Sequence, residues 1–279
     1  MTILTAMFLG LIQGIAEFLP ISSSGHLSIL QNLFNVEYPD ESHLLFDVLL
    51  HLATLVSICA AYRQELKEML SDGLEYLRMR GDNEADEPVV LKPPARTLLF
   101  ILIGTLPLFI ALIFSGSIAQ LFLNTIFVGF ALLITGGILF VSDKYIIRGR
   151  KTEKTMQLSD ALIIGLAQAA ATLPGLSRSG TTIAVGLSRG LIGSFAVRFS
   201  LLLSIPAVLG ATIIALYRSI RDGADLSLFG VYFVGFVIAA AVGFFTIQVL
   251  RRLIKGGFGK IAYYCWGLGI ITILLSLII

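Results

Sequence analysis

The chain alternates between long apolar runs and short polar breaks. Apolar stretches bounded by charge fall near 42–62, 96–116, 120–142, 196–217, 229–250 and 260–279. Each has roughly the 20 residues that a helix needs to cross a hydrocarbon layer about 30 Å thick. The period-2 alternation of a transmembrane barrel does not occur in them. The pattern predicts an all-α polytopic membrane protein.

Two segments break this pattern. Residues 1–34 and 159–192 are apolar at both ends but interrupted by Pro, Gly and Ser, and each has the length of a helical hairpin. Read as re-entrant hairpins, they put the loops 63–96, 143–154 and 251–260 on one side, with six, five and four Lys or Arg respectively. The loop 218–228 on the opposite side carries two, Arg218 and Arg221. This asymmetry makes the basic loops cytoplasmic and turns both termini outward. The longest polar stretch, Arg63 to Arg96, reads as a loop interrupted by Gly and Pro, so no soluble domain is expected.

The two broken segments also match each other. At a constant offset of 155 residues, Gly10, Leu11, Gln13, Ala16, Ser22, Ser24 and Gly25 recur as Gly165, Leu166, Gln168, Ala171, Ser177, Ser179 and Gly180. The chain thus divides into a first repeat, 1–142, and a second, 159–279, each a re-entrant hairpin followed by three spans. The topology makes them inverted copies within one membrane domain. Inverted repeats with interrupted helices place a functional site near the midplane, where the breaks meet. Unwound backbone is tolerated there only when protein buries it or it lines a wet cavity.

Composition agrees with a bilayer protein that has no nucleic-acid partner. Hydrophobic residues make up 56% and charged residues 14% of the chain, and the mean hydropathy is +0.90. Residues 1–16 carry no Lys or Arg and lead to no small-residue cleavage site, so the first segment reads as retained. Cys59 and Cys265 sit in apolar segments without metal or redox spacing and read as small hydrophobes.

The breaks carry the candidate chemistry. EFLPISSSGH supplies Glu17, Ser22, Ser23, Ser24 and His26, and LPGLSRSGTT supplies Ser177, Arg178, Ser179, Thr181 and Thr182. Together they suit a phosphate. Pro20 and Pro174 end the entering helices, and Gly25 and Gly180 allow sharp turns into the returning ones. The returning N-termini offer free N–H groups and partial positive charge. Arg178 adds a planar fork for phosphate oxygens. Glu17 and His26 are the groups an acid–base reaction needs.

Each residue also has a structural reading. Glu17 and Arg178 could be a plain ion pair, and membrane Ser and Thr often bond back to the preceding turn. His26 alone would more often be a packing hydrogen-bonder, the class to which His43 and His51 are assigned. Asp47, one turn before His51, could help bind a cation or be a buried hydrogen-bonded carboxylate. Gln13 and Gln168 could tie the hairpins together. For Arg189 and Arg198, near the inner surface, snorkelling is the expectation. The clustering, rather than any one residue, favours a site.

At these stretches the chain resembles the undecaprenyl-diphosphate phosphatases of bacterial membranes, a family associated with bacitracin resistance. QGIAEFLPISSSGH and PGLSRSG followed by TT match its two signatures, and length and motif positions extend the resemblance over the whole chain. The resemblance implies hydrolysis of a lipid diphosphate to the monophosphate at the outer face of the cytoplasmic membrane, assisted by Mg²⁺ or Ca²⁺. That reaction recycles the lipid carrier of peptidoglycan synthesis. By motif position, the resemblance makes Glu17, Ser23, His26, Ser177, Arg178 and Thr182 the expected active-site residues. Ser22, Ser24, Gly25, Ser177, Ser179, Gly180, Thr181 and Thr182 would line the phosphate. Glu17 is also a candidate metal ligand, with Asp47 and Gln13 behind it. Many family members carry Glu where this chain has Gln13, and an amide oxygen is a weaker cation ligand than a carboxylate. A homodimer is compatible with this reading.

The residues leave two chemistries open. Ser23 could attack phosphorus with Glu17 or His26 as base, or Glu17 could hold a water that attacks directly. Among other classes, a transporter or flippase of undecaprenyl phosphate would use the same architecture but has little use for a Glu–Ser–His group. An intramembrane serine protease would leave Arg178 and the second serine cluster without a role.

Overall fold

The computed structural model describes residues 1–33, 42–81, 91–146, 149–221 and 228–278. Every regular element among them is a helix, and one isolated bridge pairs Lys151 with Leu191. In chain order the helices are α1 (Ile3–Ala16), α2 (Ser23–Leu33), α3 (Ser42–Ala61), α4 (Arg63–Gly81), α5 (Pro93–Thr105), α6 (Leu108–Ile113) and α7 (Ser115–Leu121). They continue as α8 (Thr125–Ile146), α9 (Leu158–Ala170), α10 (Arg178–Ser188), α11 (Gly193–Arg221), α12 (Phe229–Leu253) and α13 (Gly259–Ile278).

Among the described residues, five helical stretches are each long and apolar enough to cross a membrane: Pro93–Ile113, Thr125–Tyr145, Gly193–Tyr217, Phe229–Leu253 and Gly259–Ile278. Their outer faces are apolar. Phe109, Phe130, Phe233, Phe245 and Tyr263 are each more than half exposed, whereas Gln13, Glu17, Asp160 and Gln168 are buried. This inversion of the soluble pattern is what a hydrocarbon solvent selects. The helices α1 and α9, with 14 and 13 residues, rise only about 20 Å at 1.5 Å per residue and fall short of a bilayer.

One expectation is corrected. The polar stretch after residue 62 is helical over Arg63–Gly81, bent 77° from the end of α3. Residues 63–80 contain no Pro and are rich in Leu, Glu, Lys, Arg and Met, all strong helix formers. Gln64 donates to Glu68 one turn on, at 3.2 Å. Leu70, Leu74 and Leu77 are exposed at helical spacing, so α4 presents an apolar stripe beside a charged face, as interfacial helices do. Charge density alone suggested a loop; periodicity argues otherwise. The side chain of His43 and residues 34–41 lie outside the described residues.

The bundle is tied by close backbone contacts. A Cβ at Gly10 of α1 would lie 2.4 Å from the Gly235 carbonyl oxygen of α12, and one at Gly165 of α9 would lie 2.2 Å from the Gly104 carbonyl oxygen of α5. Glycine at all four positions lets the helices touch. Asp160, fully buried, pairs with Lys151 at 2.8 Å and Arg189 at 2.9 Å. Arg198 pairs with Glu153 at 2.5 Å. Arg189 and Arg198 are therefore ion-paired rather than merely snorkelling. Arg96 donates to the carbonyls of Lys154 and Met156 at 2.8 and 2.6 Å, clamping the segment that leads into α9.

Candidate active site

The first break begins where the Glu17 backbone N–H closes the last turn of α1 on the Gln13 carbonyl at 3.0 Å. The chain then turns through Pro20 to Ser22, whose φ of +68° is the one left-handed value of a non-glycine residue among the described residues. Such a conformation costs about 1–3 kcal/mol and persists only where surrounding structure holds it. The second break turns at Gly175, φ +90°, where a Cβ would lie 2.6 Å from the Val128 carbonyl oxygen.

Both returning helices are capped in the same way. Ser22 Oγ accepts from the Gly25 N–H and Ser177 Oγ from the Gly180 N–H, each at 3.1 Å. Ser24 and Ser179 lie 3.3 Å from their respective capping hydroxyls. The caps sit against each other across the bundle. A Cβ on Gly25 would lie 3.2 Å from Gly175 Cα, and one on Gly180 would lie 3.0 Å from Pro20 Cβ.

Between the caps lies the charged centre. Glu17, with 6% of its side chain exposed, uses Oε1 to accept from the Arg178 guanidinium. Its Oε2 accepts from Ser23 Oγ at 2.7 Å and from Gln13 Nε2 at 3.1 Å. Arg178 Nη1 is buried and has no partner among the described residues, so the fork retains a donor for a further anion. Thr182 bonds to the Arg178 carbonyl at 2.8 Å and to the Ser200 hydroxyl, fixing the first turn of α10. The Thr181 hydroxyl is buried and has no partner among the described residues.

The remaining candidates are placed less directly. His26 Nδ1 lies 2.7 Å from the Ser22 carbonyl and Nε2 2.7 Å from the Tyr264 hydroxyl, so its ring is engaged away from Glu17 and Ser23. Asp47 stands one turn before His51 on α3. His51, assigned to helix packing from sequence, instead reaches the centre: Nδ1 lies 3.2 Å from Gln13 Nε2 and 3.7 Å from Glu17 Oε2. The available signal was the pairing of Asp47 and His51 one turn apart in an otherwise apolar helix. No sequence signal pointed to Tyr264.

Fold and site together define a class: a polytopic helical membrane protein with a buried charged and hydroxyl-rich centre inside its bundle. The chain belongs to the family described as bacitracin resistance protein BacA, whose model matches residues 6–271. It is 39% identical over 282 residues to an undecaprenyl-diphosphatase of Methanosphaera stadtmanae, covering 99% of both chains. It is 38% identical over 283 residues to the undecaprenyl-diphosphatase of Methanobrevibacter smithii, again covering 99% of both. The undecaprenyl-diphosphatase of Carboxydothermus hydrogenoformans is 37% identical over 275 residues, 97% of this chain and 96% of the relative.

Proposed function

We infer that this chain is a polyprenyl-diphosphate phosphatase that hydrolyses undecaprenyl diphosphate to undecaprenyl phosphate and inorganic phosphate. The reaction regenerates the lipid carrier of peptidoglycan synthesis and underlies bacitracin resistance. Full-length similarity to relatives named for this activity carries the reading. The centre suits the chemistry. Arg178 and the N-termini of α2 and α10 hold the terminal phosphate and neutralise charge that develops on it. Ser23 is already within proton-transfer reach of Glu17.

In this reading Ser23 Oγ attacks the terminal phosphorus and its proton passes to Glu17. The bond to the bridging oxygen breaks, and the lipid monophosphate leaves. Glu17 gives that proton up to the departing monophosphate and is a carboxylate again; it then takes a proton from water, which attacks the phosphoserine, and returns it to Ser23 Oγ as the P–O bond breaks and phosphate is released. Glu17 rather than His26 is the base, because His26 is turned toward Ser22 and Tyr264. A transporter of the same lipid phosphate would need Arg178 but not the Ser23–Glu17 contact.

The donor set fits a divalent cation. Gln13 Oε1 is buried without a partner on the side chain that touches Glu17, so Gln13 and Glu17 would hold Mg²⁺ or Ca²⁺ through oxygen. Among the described residues no group of three His, Cys, Asp or Glu could hold a metal, so substrate phosphate oxygens would complete the shell, as Mg²⁺ commonly requires. When bound, the cation shields the charge of the leaving monophosphate.

The two halves read as inverted copies. The matched serine caps support this, as does the crossing of α1 with α12, repeated by that of α9 with α5 at repeat-related Gly10 and Gly165. The halves differ where the chemistry sits: Ser23 and Arg178 occupy equivalent positions, as do Glu17 and Thr172. The protein sits in the cytoplasmic membrane with its basic loops inside and its site open to the outer face.

The test is phosphate release from undecaprenyl diphosphate by the purified protein in detergent, with and without chelator. Cation-dependent release that Glu17→Gln and Arg178→Ala abolish would support the enzyme. Lipid phosphate binding that depends on Arg178, without release under any cation, would overturn it.

A further inference from the structure

Tyr264 of α13 reaches His26 of α2 from the far end of the chain. Its hydroxyl lies 2.7 Å from Nε2, and the two rings are nearly parallel, with centroids 5.8 Å apart and planes 7° apart. On the other edge of the imidazole, Nδ1 lies 2.7 Å from the Ser22 carbonyl, four residues back. A carbonyl only accepts, so Nδ1 carries the proton; in the neutral ring Nε2 is then an acceptor, and the Tyr264 hydroxyl donates to it.

The position of this clamp matters. His26 stands in the first turn of α2, and the Ser22 carbonyl belongs to the residue whose side chain caps that helix and whose backbone is left-handed. The strained turn therefore fixes one edge of His26 while α13 fixes the other. An imidazole without Tyr264 would keep only the Ser22 anchor; once free to swing about χ1 it leaves that carbonyl too, and its tautomer is then no longer fixed.

We propose that Tyr264 is a positioning residue of the phosphatase: it holds the ring orientation of His26, and with it the tautomer that the Ser22 carbonyl sets, at the N-terminus of α2, where the diphosphate is bound. The proposal rests on the phosphatase reading for its catalytic consequence, but the locking of His26 is measurable without turnover. Outer partners that orient a functional imidazole typically account for about 10- to 100-fold in function.

The experiment pairs a spectroscopic and a kinetic readout on the full chain in detergent. The protein contains three histidines, so ¹⁵N-histidine labelling gives a small set of ring signals, and His26→Gln identifies the pair from His26. Wild type is expected to show His26 as one Nδ1–H tautomer. Tyr264→Phe, which keeps the aromatic ring and so protects the fold, is expected to give a tautomer mixture and a kcat about tenfold lower with KM unchanged. In a His26→Ala background Tyr264→Phe is expected to have no further effect on kcat. An unchanged His26 signal in Tyr264→Phe, or losses that simply multiply in the double variant, would overturn the proposal. Wild type that releases no phosphate, yet shows the Tyr264-dependent tautomer, would sink the phosphatase reading and leave the lock standing.

Discussion

The hydroxyl of Ser23 lies 2.7 Å from Glu17 Oε2, across a turn held open by the left-handed backbone of Ser22. This contact joins the last residue before the first break to the first residue of the returning helix. It needs no substrate to form. Replacing Ser23 by Ala removes the hydroxyl but leaves Glu17 paired with Arg178 and Gln13. Phosphate release by Ser23→Ala is expected to fall at least about 1,000-fold, the scale of losing a nucleophile, with the melting temperature within a few degrees of wild type.

Arg178 and Glu17 stabilise each other in a largely buried setting. Removing one partner of such a pair leaves an uncompensated charge and costs about 3–5 kcal/mol. Arg178→Ala is therefore expected to lower thermal stability in detergent. The double variant Arg178→Ala/Glu17→Gln is expected to recover most of that stability and none of the activity. Recovery of activity would show that the pair is only structural.

The cation reading predicts a gain as well as losses. Gln13→Glu places a second carboxylate beside Glu17, and the half-saturating cation concentration for phosphate release is expected to fall roughly tenfold, since ligand charge tunes such sites. A titration of activity against Mg²⁺ after chelation checks it.

The helix crossings can be probed far from the centre. Gly10→Ala and Gly165→Ala drive a methyl into backbone oxygens at 2.4 and 2.2 Å, and overpacking of this kind costs about 1–3 kcal/mol. Gly267→Ala, where nothing lies within 4 Å, is expected to be neutral. Melting temperatures of the three variants in one detergent decide the matter.

How much of this was legible in the sequence follows from what periodicity and clustering encode. Apolar runs revealed the membrane helices, since every lipid-exposed backbone group needs an internal partner. The two polar breaks stood out because Glu17 and Arg178 are costly at membrane depth. The amphipathic helix α4 did not stand out, because its charges masked the spacing of Leu70, Leu74 and Leu77. His51 and Tyr264 escaped for another reason. Each sits in a helix whose facing side is set by three-dimensional packing, and a lone imidazole or phenol in an apolar run does not show which way it points. The Ser22 and Ser177 hydroxyls were read as phosphate donors, but they also serve as helix caps, a role set by backbone geometry.

The most direct test of the Ser23–Glu17 pair is a rapid-quench experiment with undecaprenyl diphosphate radiolabelled in its terminal phosphate. At early times label is expected on the peptide bearing Ser23, decaying as free phosphate appears, and absent in Ser23→Ala. Wild-type turnover without label on Ser23 at any quench time, together with undiminished release by Ser23→Ala, would contradict the account and assign the attack to water.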